Sequence, residues 1–285
     1  MLEVRRARDP VVARPGRGLR RAEAAVSAGP YRAVLFDLFD TLVRFDRTRL
    51  PAVEVDGRTV HTTAGALHAV LRPYAPHVTV AALYEALVAS WQEAERRRAR
   101  DHREVPARER FAYLAGCLAL DPARWPAGLL DALIAAHRDG IAQAAELPAA
   151  HRALLEELAG RYRLAVVSNF DYAPTARRIL ERAGVADLFA AVVVSDEVGW
   201  RKPCPIIFET ALARLEVAPA EALFVGDRAD IDVLGAQRVG MAVAWLNPEA
   251  APLPPDVAPP TLELRRLDDL RPALGLSARA PDGRA

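Results

Sequence analysis

Apolar and polar positions along this chain fall into two patterns, and the change between them sets the first picture of the fold. The stretch Ala33–Val43 opens as an unbroken apolar run and ends in Asp37, Asp40 and Thr41. Such a run suits a parallel strand covered on both faces. Asp37 then falls at the strand's carboxyl end, where open α/β sheets gather their ligands. A core strand ending in turn carboxylates fits the same residues, so the rest of the chain has to decide.

From about residue 150 the pattern is regular. Helices are expected at His151–Ala159, Thr175–Ala183, Pro205–Leu215 and Ile231–Val239. Each is followed by a short apolar strand, at Leu164–Ser168, Ala191–Val194, Ala222–Gly226 and Ala242–Leu246. Strands alternating with helices of about ten residues mean βαβ units and a parallel sheet. The opening strand completes that sheet. After a proline-rich link at Pro252–Pro260, Thr261–Leu267 reads as an edge strand or a packed tail.

Residues 46–149 have a different character. Helices are expected at Ala64–Leu71, Val80–Ala99, Arg108–Leu120 and Leu129–Ala145, separated by Pro73, Pro76, Pro106, Pro122 and Pro126. No strand-like alternation is read in this span, which is taken as an all-helical insert. The charged run Glu93–Arg103 is read as a solvated helix face without a partner, and Trp91 and Trp125 as core fillers. The expected layout is a core of residues 30–45 and 150–272, an insert of 46–149 and a tail of 273–285. Residues 1–29, with seven arginines and no apolar periodicity, read as a disordered basic extension.

Composition narrows the class of function. A chain of 285 residues, 52% hydrophobic and 26% charged, with a net charge of +1, carries no global field for nucleic acid or an acidic membrane surface. No apolar stretch is long enough to span a bilayer. The two cysteines, Cys117 and Cys204, match neither a disulfide framework nor a zinc spacing, which fits a reducing, cytoplasmic compartment. The six histidines show no metal-ligand spacing. Among the 38 basic residues, however, only Lys202 is a lysine. A lone compact ammonium is a candidate for a task that guanidinium cannot perform.

Four predicted strand or helix ends carry the residue types that phosphoryl chemistry needs: Asp37, Asp40 and Thr41; Ser168 and Asn169; Lys202; and Asp227 with Asp232. An aspartate can act as nucleophile, and clustered carboxylates with a carbonyl oxygen suit Mg²⁺. Hydroxyl and backbone N–H groups can hold phosphate oxygens, and an ammonium can neutralise charge.

The arrangement resembles the haloacid dehalogenase-like superfamily of hydrolases over roughly residues 31–247. Phe36-Asp-Leu-Phe-Asp-Thr-Leu42 is similar to its first motif and Val167-Ser-Asn169 to the second. Lys202 matches the third, and Gly226-Asp-Arg-Ala-Asp-Ile-Asp232 the fourth. The resemblance implies an α/β fold, a Rossmann-like parallel sheet with helices on both faces, with the helical insert as a cap. It implies a Mg²⁺-dependent phosphatase for a small phosphorylated substrate, with no nucleic-acid or membrane partner. Asp37 would be the nucleophile. Mg²⁺ would be held by Asp37, the Phe39 carbonyl and Asp227, with Asp232 orienting metal-bound water or Lys202. Ser168, the Asn169 backbone and Lys202 would hold phosphate, and Thr41 would support the first loop.

One position departs from the pattern. Phosphatases of this superfamily usually carry a second aspartate two residues after the nucleophile, where this chain has Phe39; Asp40 stands where glycine is usual. An aromatic residue at that place is a feature of the superfamily's haloacid dehalogenases. Those enzymes work without metal and lack the aspartate matching Asp227. A metal-independent dehalogenase and a weakly catalytic binding member are therefore the alternative readings.

Overall fold

The computed structural model describes residues 31–277. The expectations for residues 1–29 and for the end of the tail lie outside those residues. Strand β1 (Ala33–Phe36) is followed by a hairpin, β2 (Ala52–Val55) and β3 (Arg58–His61), and by helices α1 (Ala64–Leu71), α2 (Val80–Asp101), α3 (Ala107–Cys117) and α4 (Leu129–Ala144). Then come α5 (Ala149–Ala159), β4 (Arg163–Ser168), α6 (Ala173–Arg182), β5 (Phe189–Val194), α7 (Pro205–Leu215), β6 (Ala222–Gly226), α8 (Leu234–Arg238), β7 (Ala242–Leu246) and β8 (Leu262–Leu264).

Six strands form one parallel sheet in the order β8-β7-β6-β1-β4-β5. All four residues of β1 are fully buried. Their alternation explains why both faces are covered. Val34 and Phe36 pack with Leu154, Leu158, Ile179 and Leu180 of α5 and α6. Ala33 and Leu35 face Ile207, Phe208, Leu212 and Ala236 on the opposite side. A strand buried on both faces must read as continuously apolar. The segment after the proline-rich link takes the edge-strand alternative, with Leu262–Leu264 pairing parallel to β7.

Helices α1–α4 build a separate apolar cluster around Leu67, Leu71, Leu83, Phe111, Leu114 and Leu133. The span 46–149 is not wholly helical, however. β2 and β3 pair antiparallel, with Val53 opposite Val60, across a turn at Asp56-Gly57 whose φ angles are +48° and +73°. An Asp-Gly pair between alternating apolar residues is a strong hairpin signal, because both turn positions need positive φ. The residues Ala52-Val-Glu-Val55 and Arg58-Thr-Val60 carry it, and the all-helical reading overlooked it.

Two further expectations for this span are corrected. Trp91 is 53% exposed on α2, whereas Trp125 is half-buried against the cluster of this span. Within the charged run, Arg98 is buried and paired with Glu104, so one face of that helix is not solvated. Among the described residues no helix is long and apolar enough to cross a membrane.

Candidate active site

The sheet's order places β1 between β4 and β6, so three carboxyl ends meet in one crevice. Asp37 extends the β1 ladder by one bond, its N–H donating to Val225 O at 2.9 Å. The chain then turns tightly. Leu42 N and Val43 N both donate to Leu38 O, and Leu38, Leu42 and Val43 are buried as anchors. Asp40 takes the left-handed conformation at φ +59°, which explains why glycine would suit the position. Aspartate is among the few other residues that tolerate it.

At the end of β6, Gly226 has no room for a side chain; a Cβ there would lie 2.5 Å from Asp232 Cβ. That close approach lets the turn after Asp227 fold back, and Asp232 Oδ2 accepts a bond from Arg228 N at 3.0 Å. Asp227 is fixed from two sides. Its main-chain carbonyl accepts from Trp245 Nε1 at 2.9 Å, and its Oδ1 accepts from Thr41 Oγ1 at 3.3 Å. Thr41 thus ties the loop after β1 to the end of β6.

Lys202 is buried between two of these acids, its Nζ 2.6 Å from Asp37 Oδ1 and 2.7 Å from Asp232 Oδ1. Its peptide is clamped by Asn169: the Nδ2 donates to Lys202 O at 2.9 Å, and Lys202 N donates to Asn169 Oδ1 at 2.7 Å. The amide of Asn169 therefore positions the lysine, leaving only the backbone of Asn169 for a ligand. Asn169→Ala would strand both polar groups of a buried peptide. It is expected to cost about 1–3 kcal/mol of stability, read from the urea unfolding midpoint.

Charge is unbalanced here. Oxygens of Asp37, Asp227 and Asp232 all lie within 4.8 Å of one another, against the single ammonium of Lys202. Burial pushes the Asp37 carboxyl up to about 7; Lys202 opposes this, while Asp232 and Asp227 add to it. Asp227 is pushed up to about 6 by burial and by the negative charge of Asp232. Two negative charges in excess, on hard oxygen donors, fit a divalent cation such as Mg²⁺.

A cavity of about 220 Å³ opens on this cluster. The sequence-derived residues Asp37, Phe39, Asp40, Ser168, Asn169, Lys202, Asp227 and Asp232 all line it; Thr41 does not, and acts through Asp227. Ser168 Oγ is buried with no hydrogen-bond partner among the described residues, a free hydroxyl on the cavity wall. Three lining residues were not foreseen: Arg201, Arg228 and Ile231. Arg201 adjoins Lys202 in sequence, which was a usable signal, and its guanidinium is held by Glu104 at 2.7 Å. Trp200 does not line the cavity; it stacks under Arg103, 4.7 Å from its ring centroid.

A second charged cluster, outside the cavity lining, had no local signal. Asp171, three residues after Ser168, meets Arg98, Arg110 and Arg138 from α2, α3 and α4. All four side chains are buried. The Arg138 guanidinium also lies over the ring of Phe170, which in turn packs on Phe39.

A family profile described as haloacid dehalogenase-like hydrolase matches residues 31–240. The glyceraldehyde 3-phosphate phosphatase of Pyrococcus furiosus is 35% identical over 138 residues, 48% of this chain and 56% of that protein. The phosphoserine phosphatase of Thermus thermophilus is 40% identical over 95 residues, 33% of this chain and 36% of that protein. The chain thus spans about half the length, or less, of these curated relatives. Among solved structures, a 2-haloacid dehalogenase from Pseudomonas syringae pv. Tomato superposes with a TM-score of 0.64 at 26% identity, covering 86% of this chain and 98% of that one.

Proposed function

The chain belongs to the haloacid dehalogenase-like hydrolases, and from that premise we propose that it is a Mg²⁺-dependent phosphatase for a small phosphorylated metabolite. The observation that carries this reading is the charge imbalance of the crevice, three carboxylates around one ammonium. A displacement at carbon by Asp37 alone would gain nothing from a second negative charge at Asp227 beside it. The names of the partly matching relatives, phosphatases for glyceraldehyde 3-phosphate and for phosphoserine, support the same class.

In this reading Asp37 and Asp227, with the Phe39 carbonyl, hold Mg²⁺. When bound, it supplies positive charge against which the phosphoryl oxygens and Asp37 can approach each other. Asp37 attacks phosphorus and forms an aspartyl-phosphate, which water then hydrolyses. Lys202 favours the charged form of Asp37, orients it and faces the charge that develops on the phosphoryl group. Ser168 Oγ and the Asn169 backbone N–H take phosphoryl oxygens, and Asp232 holds Lys202. We take residues 46–149 as the cap domain, with residues 30–45 and 150–272 as the core domain.

A metal-independent haloacid dehalogenase is the second reading, favoured by Phe39 and by the likeness to the Pseudomonas syringae enzyme. One experiment separates the two. With the purified chain, EDTA is expected to reduce phosphate release from acetyl phosphate to background, and excess Mg²⁺ to restore it. Chloride released from 2-chloropropionate at a rate indifferent to EDTA would replace the phosphatase reading with the dehalogenase one.

A further inference from the structure

Hydrolysis of a phosphate ester has to dispose of a leaving oxygen, and the cavity can be searched for a group that would protonate it. Among its eleven lining residues, Asp37, Asp227 and Asp232 form the carboxylate cluster, and Lys202 is fixed between two of them. Arg201 and Arg228 keep their protons at any ordinary pH, and both are already paired, with Glu104 and Asp230. The Asn169 amide is spent on the Lys202 peptide. Phe39 and Ile231 have nothing to give, and the Ser168 hydroxyl is itself an alcohol, no stronger an acid than the alcohol an alkyl ester would release. No histidine lines the cavity, nor does any residue of 46–149.

Asp40 is the remaining carboxyl; it lines the cavity as an exposed residue and is engaged by its own loop. Its left-handed backbone bends it back over its own loop, where Oδ1 faces Phe45 N at 3.4 Å. The lining residue between Asp37 and Asp40 is Phe39, whose ring lies 6.1 Å from that of Phe45 and 5.1 Å from that of Phe170. An aromatic wall therefore stands beside the nucleophile where a proton donor would be useful. Hydrocarbon beside a departing alkoxide also leaves its charge unsolvated, which is costly.

We infer that this cavity is built for phosphates whose leaving group departs as a stable anion, an acyl or aryl phosphate, and not for alkyl esters. The inference rests on the phosphatase reading. In the first step an Asp37 oxygen bonds phosphorus while the bond from phosphorus to the leaving oxygen breaks. The electron pair stays on that oxygen, which leaves unprotonated as carboxylate or phenolate. In the second step water oxygen bonds phosphorus, the pair of the breaking bond returns to Asp37, and the water's proton passes to solvent. Carboxylic acids and phenols have pKa values of about 4 and 10, whereas an alcohol lies near water's 15.7. Only the last needs the acid assistance that is worth roughly 10²–10⁴-fold.

The test is kcat/KM of the full chain with Mg²⁺ for acetyl, 4-nitrophenyl and phenyl phosphates beside phosphoserine and glycerol 3-phosphate. The rate is expected to fall as the leaving-group pKa rises, with both alkyl esters at least about 10²-fold below 4-nitrophenyl phosphate. Alkyl esters closer than that would overturn the inference and leave the phosphatase reading standing. No Mg²⁺-dependent phosphate from any of the five would overturn the phosphatase reading, and the inference with it. Phe39→Asp, which puts a carboxyl on that wall, is expected to narrow the gap between alkyl and aryl esters; a folded variant with the gap unchanged counts against the inference.

Discussion

Asp37→Asn is expected to lower phosphate release by roughly 10⁴-fold or more, and to leave the protein at least as stable as before in the absence of metal. The first half follows from the proposed role of Asp37 as nucleophile, which an amide cannot take. The second follows from the crowding around it. Asp37 sits with Asp227 and Asp232 within 4.8 Å, and burial with those neighbours raises its carboxyl to about 7. Ionised Asp37 is therefore a burden on the fold that only Lys202 relieves. An amide of the same shape removes one of three like charges, and Lys202 keeps Asp232 at 2.7 Å. Thermal unfolding in EDTA should show the variant melting at or above the parent. Added Mg²⁺ should raise the melting temperature of the parent more than that of the variant, because a ligand that binds only the folded state stabilises it. Turnover at the parent rate would remove Asp37 as nucleophile. A melting point several degrees lower would make it a structural counter-ion to Lys202.

The crevice was legible in the sequence for a physical reason: parallel strands buried on both faces read as short apolar runs, and their polar residues collect at one edge. β1 running into Asp37, and β6 running into Asp227, are examples. Lys202 stood out by scarcity, and its place between Asp37 and Asp232 gives that scarcity a meaning. Other features were present in the sequence and overlooked. Asp56-Gly57 announced the hairpin. On α2 the buried stripe Leu83, Leu87, Ser90, Ala94, Arg98 keeps three- and four-residue spacing to its end, so helical periodicity already put Arg98 on the inner face and Trp91 off it. The composition of the run Glu93–Arg103 hid what its periodicity revealed. The role of Asn169 was hidden differently. A side-chain amide that clamps a peptide 33 residues away has no local signature.

The Asp171 cluster belongs wholly to tertiary structure, and it carries the largest stability effect expected of a single change. Asp171→Asn should destabilise the protein by about 3–5 kcal/mol, the range for a buried ion pair that loses one partner. Arg98 has Glu104 and Glu95 to fall back on. For Arg110 and Arg138, Asp171 is the carboxylate that answers their charge. The group is already over-positive: burial, together with Arg138 and Arg98, pushes the Arg110 guanidinium down to about 10 in spite of Asp171. An amide cannot compensate three buried guanidinium groups. The same cluster fixes a pH dependence. Burial alone would raise the Asp171 carboxyl, but Arg138, Arg110 and Arg98 outweigh it and hold it below the ordinary value. A depressed carboxyl contributes stability that is complete above its unfolded pKa of about 4 and is lost as pH falls through the folded value. Urea midpoints should therefore drop for the parent below about pH 4, and part of that drop should vanish in Asp171→Asn. Adding Arg138→Met to Asp171→Asn removes one stranded charge and should recover part of the loss, a coupling that a double-mutant cycle reads directly. A loss under about 1 kcal/mol for the single variant would mean that water reaches these guanidinium groups and that the cluster does not join α2, α3 and α4 to the loop after Ser168.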